Sequence, residues 1–394
     1  MNKLTNPFTP GAGFLPPELA GRSSVVENGR VLAMRARLMR AERGILMVGP
    51  RGVGKTSLLK YLAEDARKVG NVVVVAEIQN DSRGLEELAL KLRDALAELD
   101  YASKVKARVR EAFAVLGNFV RRFKLSLGPI DVEMDVGKGD SGNLECDLSD
   151  VLLTAARAAK EAGTAIGLYV DELQNVELTT LSGIVVALHH AAQDLLPLYL
   201  LGSGLPTLRS LVAKSKTYAE RMFNYEIIGA LDEAASADAI RKPLRTMNVD
   251  IEDEALAAIY RASAGYPFFL QECGYQVWQR AENSPIAGTV VHAVLNDVTD
   301  RLDRNFFDVR MDRISEFERR FLRAMADVPD RDGRSFSDIA ARLGRSANSL
   351  SMVRRSLIRK GVVYSSRLGT LSYTVPMFDV YLKRIERAGR SGLN

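Results

Sequence analysis

Gly49-Pro50-Arg51-Gly52-Val53-Gly54-Lys55-Thr56 has the spacing G-x-x-x-x-G-K-[ST] of a phosphate-binding loop. An apolar run, Gly44-Ile45-Leu46-Met47-Val48, reads as a buried strand leading into it, and Ser57-Leu58-Leu59-Lys60-Tyr61-Leu62-Ala63 carries a helical pattern out of it. Glycines in such a turn let backbone N–H groups curl round phosphate oxygens, and the dipole of the following helix favours an anion at its N-terminus. The stretch Gly49, Pro50, Arg51, Gly52, Val53, Gly54, Lys55, Thr56 and Ser57 is therefore the expected cradle for ATP or ADP. Lys55 can reach the β- and γ-phosphates, and the Thr56 hydroxyl can hold Mg²⁺.

Two further strands bear on the chemistry. Ala165-Ile166-Gly167-Leu168-Tyr169-Val170 is an apolar run ending in Asp171-Glu172, and it reads as a central parallel strand buried on both faces. Asp171 at its C-terminal end is placed to hold Mg²⁺, directly or through water, and Glu172 is the natural general base for an attacking water. A strand that merely ends in a solvated acidic turn is the alternative. Pro197-Leu198-Tyr199-Leu200-Leu201 ends in Gly202-Ser203-Gly204, which makes Ser203 a candidate sensor of the γ-phosphate. A small-residue turn into the next helix is the other reading there.

Length and composition frame these motifs. A chain of 394 residues, 47% hydrophobic, is expected to hold two or three domains with ample core. No run of 18 apolar residues occurs, so no membrane span is expected. The N-terminal Met1-Asn2-Lys3-Leu4-Thr5-Asn6-Pro7 has no apolar signal region, and a cytoplasmic location is expected. Two lone cysteines, Cys146 and Cys273, and three scattered histidines support neither a disulfide framework nor a zinc site. His189 and His190 are neighbours on a helical pattern, so they point about 100° apart and cannot share a metal.

Charge is unevenly placed. From Arg313 to Asn394 there are 17 Lys and Arg against 8 Asp and Glu, whereas the first 312 residues hold 37 against 41. A basic tail on an acidic body points to a polyanionic partner. The tail has a readable form. Ile314 to Met325 is helical, Phe336 to Gly344 is a short helix with a C-cap glycine, and Ser346 to Lys360 is a second helix closed by Gly361. Val362-Val363-Tyr364-Ser365 and Leu371-Ser372-Tyr373-Thr374-Val375 then form a hairpin. That order is a winged helix-turn-helix. Arg345 and Asn348 open its second helix and suit base edges, while Arg354, Arg355 and Arg359 suit DNA phosphates. A solvated or protein-docking helix face is the competing reading.

Between core and tail, helices are expected from Leu231 to Pro243, from Asp253 to Ala262, and from Phe268 through Trp278 after Gly265-Tyr266-Pro267. They read as a helical lid. The segment Lys104 to Gly142 reads as an insertion: a basic helix, then a β-hairpin around Gly128-Pro129. The expected domains are residues 1–230 for the nucleotide domain, with the insertion at about 101–147, 231–310 for the lid and 311–394 for the winged helix.

These motifs, in this order, resemble the AAA+/STAND class of P-loop ATPases. They are Pro17-Glu18-Leu19-Ala20-Gly21-Arg22, the phosphate loop, Asp171-Glu172-Leu173-Gln174, Gly265-Tyr266-Pro267 in a lid, and a terminal winged helix. The nearest branches are bacterial and archaeal AAA ATPases similar to origin-recognition initiators, and the resemblance covers nearly the whole chain. It implies an α/β P-loop AAA+ nucleotide domain, a parallel sheet with helices on both faces, followed by the lid and the winged helix. It also implies that Pro16 to Arg22 line the adenine pocket and that Gly265 and Pro267 approach the nucleotide. Arg221 matches the place from which related ATPases reach a neighbour's γ-phosphate, so a homo-oligomer is expected to hydrolyse faster; a surface salt bridge is the other reading of Arg221. The sequence departs from the pattern where Ser23-Ser24-Val25-Val26 separates Arg22 from Glu27, and Arg241 is only a weak second sensor. The class normally carries effector and sensor modules, and none is visible, so action through a partner is expected. The leading expectation is a slowly hydrolysing, ATP-controlled switch that binds DNA. The rivals are an ATP-gated protein-interaction module serving a nuclease, transposase or defence effector, and a protein that holds nucleotide and hardly hydrolyses it.

Overall fold

A computed structural model of the chain describes residues 1–11, 13–79, 81–102, 106–126 and 138–391. The hairpin expected around Gly128-Pro129 lies outside the described residues. The chain divides into two units. One comprises Arg22–Gly49 and Lys55–Ile228; the other comprises Met1–Gly21, Pro50–Gly54 and Gly229–Asn394.

The first unit is built on five parallel strands: β1 (Gly44–Val48), β2 (Val72–Glu77), β3 (Ile166–Asp171), β4 (Leu198–Gly204) and β5 (Phe223–Ile227), in the order β2-β3-β4-β1-β5. Every residue of β1, β3 and β4 is buried, as expected for strands covered on both faces. On one face lie α1 (Ser23–Arg37) and α2 (Lys55–Lys68). A run of helices packs in succession on the other: α3 (Asp81–Ala102), α4 (Lys106–Arg122), α5 (Leu144–Glu161), α6 (Leu178–Gln193) and α7 (Leu208–Ser215). Leu46, Val74, Leu168, Leu200, Leu152 and Ile184 are among the residues of the continuous apolar core this creates. The strand order decides which strand ends are neighbours. It sets the C-terminal ends of β3, β4 and β1 side by side, about 4.8 Å apart per step. His189 is half-buried against Tyr218 and His190 is exposed, as their spacing predicts.

In the second unit the N-terminal segment packs on a helical group, α8 (Glu233–Thr246), α9 (Asp253–Ser263), α10 (Pro267–Arg280) and α11 (Gly288–Leu302). Phe8 is buried against Gly274, and the Trp278 indole donates to the Asn2 carbonyl at 2.8 Å. Gly265 has φ +72°, and a Cβ there would lie 2.1 Å from the Leu231 carbonyl oxygen, so the turn between α9 and α10 requires glycine. Pro267 opens α10 at the first helical position, where its missing N–H costs nothing.

The tail follows a π-helical turn (Asp303–Asp308) and the short α12 (Val309–Met311). Its elements are α13 (Glu316–Ala326), β6 (Arg334–Ser335), α14 (Phe336–Arg342), α15 (Ser351–Arg359), β7 (Val363–Tyr364), β8 (Thr370–Tyr373) and α16 (Phe378–Ser391), with sheet order β6-β8-β7. Helices and hairpin come in the expected order, with β6 as an added strand. The helix expected from Ser346 opens through a 3₁₀ turn at Asn348–Leu350 that runs into α15, with the Ser346 hydroxyl accepting the Ser349 amide at its start. No helix among the described residues is long and apolar enough to cross a membrane.

Glu318 knits this tail together. It completes a capping box with Ser315, accepts the Ser356 hydroxyl at 2.7 Å and pairs with Lys360 at 2.6 Å. Burial alone would push its carboxyl up, but the donors from Lys360, Ser356 and Ser315 outweigh burial and bring it from its ordinary 4.5 to about 2. A carboxyl held low stabilises the fold above its ordinary value and loses that contribution as pH falls towards the folded value. Glu318→Gln should therefore raise amide exchange in α13 and α15 of the intact chain about 10-fold at neutral pH. The wild-type advantage should fade between pH 4.5 and 2. Equal protection in the two proteins at neutral pH would show that the carboxylate contributes nothing.

Candidate active site

Asp171 ends β3 with 4% of its surface exposed, and its carboxylate is held from three directions. The Thr56 hydroxyl donates to Oδ2 at 2.5 Å, the Ser203 hydroxyl donates to Oδ1, and the Glu172 amide donates to Oδ1 at 2.8 Å. Thr56 stands at the start of α2 and Ser203 near the end of β4, so the adjacency of strand ends brings these groups together. Among the described residues Asp171 has no ion-pair partner, and a buried carboxylate without a cation is costly. A hydroxyl and a buried carboxylate in contact are hard oxygen donors of the kind Mg²⁺ takes, along with phosphates and waters. Thr56 and Asp171 thus fit the metal, which on binding would neutralise phosphate charge. No group of three or more His, Cys, Asp or Glu among the described residues offers an all-protein metal cage.

The loop itself is shaped for anions. Gly52 and Gly54 take φ +80° and +88°, which other residues rarely adopt and which glycine allows where a backbone must curl round an anion. Lys55 is buried, and its amine donates to the Gly49 carbonyl at 3.0 Å, folding back over the loop's own start. The Gly49 amide donates to the Gly204 carbonyl at 3.1 Å, which pins the loop to the end of β4.

Glu172 follows in a left-handed backbone conformation, φ 52° and ψ 36°, unusual for a residue with a side chain. Its Oε2 accepts the Gln174 amide nitrogen at 2.5 Å. Sequence reasoning quoted Gln174 as the last residue of the run from Asp171 but gave it no role, because its partners Glu172 and Leu205 are brought together only by the fold. Ser203, the candidate γ-phosphate sensor, stands near the end of β4 with its side chain fully buried and its hydroxyl donating to Asp171. Arg22 is half-buried at the N-terminus of α1, and burial pulls its guanidinium below the usual value. Arg221 is exposed and has no ion pair among the described residues, so the salt-bridge alternative is not what holds it. It precedes β5, at the N-terminal edge of a sheet whose phosphate loop lies at the C-terminal edge. Five strand residues separate those edges, about 16 Å.

In the second unit, residues 50–54 of the loop contact both the helical group and the tail. The Arg51 amide donates to the Thr374 carbonyl at 2.7 Å, and the Phe268 amide donates to the Gly52 carbonyl at 3.3 Å. Pro267 is thereby placed one residue from a contact with the loop. Phe268 stacks on Phe306, and the Arg310 guanidinium lies over Phe306 at 4.3 Å. Burial first, then the nearby charges of Arg51 and Arg313, hold Arg310 below its usual value. This cationic surrounding favours an anion at the loop tip. Arg241, the weak second-sensor candidate, forms an ion pair with the exposed Asp253.

The basic residues of the tail divide into two groups. Arg345, Asn348, Arg355 and Arg359 are exposed. Arg354 is half-buried, donates to the Ser365 hydroxyl at 3.1 Å and covers the Phe336 ring, so it braces the hairpin. Arg355 and Arg359 also line a groove together with Phe317, Met352 and Val353.

Similarity to known proteins runs along most of the chain. Residues 18–201 match the family model described as an AAA ATPase domain, and residues 304–382 match a domain of unknown function. No curated protein matches the sequence. The Walker-type ATPase of Pyrococcus abyssi is similar in structure, with a TM-score of 0.55 at 15% identity over 91% of this chain and 95% of that one. Weaker likenesses include the RuvB Holliday junction branch migration motor of Thermotoga maritima, at TM-score 0.43 and 16% identity over 92% and 95% of the two chains. The Aeropyrum pernix ORC1 protein in complex with DNA gives TM-score 0.44 and 15% identity over 95% of each chain.

Lys55→Ala removes the cation nearest the loop's carbonyls and should weaken binding of a fluorescent ATP analogue by about 100-fold, since charge-assisted phosphate contacts are among the strongest available. Unchanged affinity would rule this loop out as the nucleotide site.

Proposed function

We propose that this chain, whose residues 18–201 match an AAA ATPase domain, is a nucleotide-controlled ATPase switch whose C-terminal winged helix acts on DNA. The observation that supports the switch best is the double engagement of the phosphate loop. Residues 51–54 belong to the stretch that would wrap phosphates, and within it the Arg51 amide donates to the Thr374 carbonyl of the tail while the Gly52 carbonyl accepts the Phe268 amide of the lid. A phosphate entering the loop would act on the residues to which the tail is bonded. Hydrolysis would use Mg²⁺ held at Thr56 and Asp171, with Glu172 as base for the attacking water. Arg221 lies too far from its own loop to serve it, so its use would be on the phosphates of a neighbouring copy. Turnover per chain that rises with protein concentration would support that role, and turnover that stays flat would remove it.

DNA is the favoured polyanion because the exposed Arg345 and Asn348 precede α15 and the exposed Arg355 and Arg359 lie along it. Arg354 leaves the set of phosphate contacts, being committed to the hairpin. One observation favours a protein partner instead: Met352 is 76% exposed on the same helix, beside the apolar groove. Duplex binding by fluorescence anisotropy, across salt concentrations and with ATP, ADP or no nucleotide, separates the two. On the DNA reading, replacing Arg355 and Arg359 with Ala lowers the slope of log affinity against log salt by about 2, roughly 0.9 per lost phosphate contact. Arg354→Ala should destabilise the tail without that flattening. If the full chain binds no duplex in any nucleotide state, the DNA reading fails and the groove becomes the docking face.

A further inference from the structure

Gln174 sits between the acidic pair and the end of β4, and its side chain is used at both ends. Its nitrogen donates to Glu172 Oε2 at 2.5 Å and lies 3.4 Å from Asn175 Oδ1. Its oxygen accepts the Leu205 amide at 2.9 Å, just past the end of β4. The orientation of the amide is fixed by its partners, since a carboxylate can only accept and a backbone N–H can only donate. Room for it is made by Gly204, where a Cβ would fall 2.3 Å from the Gln174 oxygen. The next residue continues the network, as the Asn175 side-chain amide donates to the Ile78 carbonyl beyond β2 at 2.9 Å. Glu172 gains from such support. Its left-handed backbone turns its side chain away from the direction of the strand, and the bond from Gln174 sets where its carboxylate stands.

We propose that Gln174 is a positioning residue for hydrolysis, holding the Glu172 carboxylate in register with the ends of β3 and β4. The inference rests on the reading of Glu172 as general base. Leu205 follows directly on the strand that carries Ser203, whose hydroxyl is bonded to Asp171. The Gln174 bridge therefore joins the metal-binding carboxylate and the base through one short stretch of β4. A shift at the end of that strand would reach both groups together.

The test is steady-state turnover and ATP affinity of the full chain with Mg²⁺. Gln174→Ala and Gln174→Met should each lower kcat at least about 10-fold, because small misplacements of a catalytic group have large effects on rate. ATP affinity should stay within about 2-fold, since the bridge touches no phosphate-binding group. Methionine keeps the length and bulk of the side chain but neither the donor nor the acceptor. A role in packing alone would let it retain the wild-type rate, and that result overturns the proposal. Glu172→Gln is measured alongside. If it turns over at the wild-type rate, Glu172 is not the base and both readings fall. If it is slow while the two Gln174 variants are unimpaired, only the role of Gln174 falls. Adding Gln174→Ala to Glu172→Gln should slow turnover no further; an added loss would mean that Gln174 acts by another route. A wild type without turnover overturns both readings.

Discussion

One buried carboxylate organises the nucleotide domain. Asp171 is out of water at the end of β3, and burying its charge costs several kcal/mol unless donors and a cation compensate. Three donors do part of this, and each comes from a different element: Thr56 from α2, Ser203 from β4 and the Glu172 amide from the turn after β3. The strand order that puts these ends side by side is thus a condition of the site's existence. A domain with the same helices but another order of strands would leave Asp171 uncompensated. Those donors are neutral or backbone groups, and Mg²⁺ at Thr56 and Asp171 would add positive charge beside the carboxylate.

The second constraint is on the backbone of residues 50–54. Gly52 and Gly54 give the loop its tight curl, and its backbone groups are also bonded to the lid and the tail. The amide of Arg51 and the carbonyl of Gly52 are taken up by Thr374 and Phe268. Thr374 is itself fixed, since its hydroxyl donates to the Gly361 carbonyl at 2.6 Å and the residue is wholly buried. A short loop bonded to so rigid a partner has little freedom to adapt alone. This is the physical content of the proposed switch: a change in the loop and a change in its partners are one event.

Much of this was legible in the sequence, and what was not shares a cause. Strand, loop and helix around Lys55 follow from apolar runs and glycine spacing, which are local, and the strands ending in Asp171 and Ser203 lie where their runs place them. The run Val72–Glu77 is equally apolar but carries no motif to single it out, although it forms the edge strand β2. Side-chain direction is where sequence reasoning ran out. Ser203 stands at the expected strand end, but nothing in its own run indicates that its hydroxyl is bonded to Asp171. Arg354 belongs to the basic helix as expected, but it is spent on Ser365 and Phe336. The left-handed backbone of Glu172 and the bridge from Gln174 need the ends of β3 and β4 to be in place before either has a meaning.

The claim on which the rest depends is that Asp171 and Thr56 form the seat of the metal that accompanies the nucleotide. Calorimetric titration of the full chain with ATP, with and without Mg²⁺, in the wild type and in Asp171→Asn, tests it directly. The account predicts that Mg²⁺ tightens ATP binding at least about 10-fold in the wild type. It predicts that this gain is lost in the variant while metal-free binding persists in both. An equal gain from Mg²⁺ in the two proteins would contradict it.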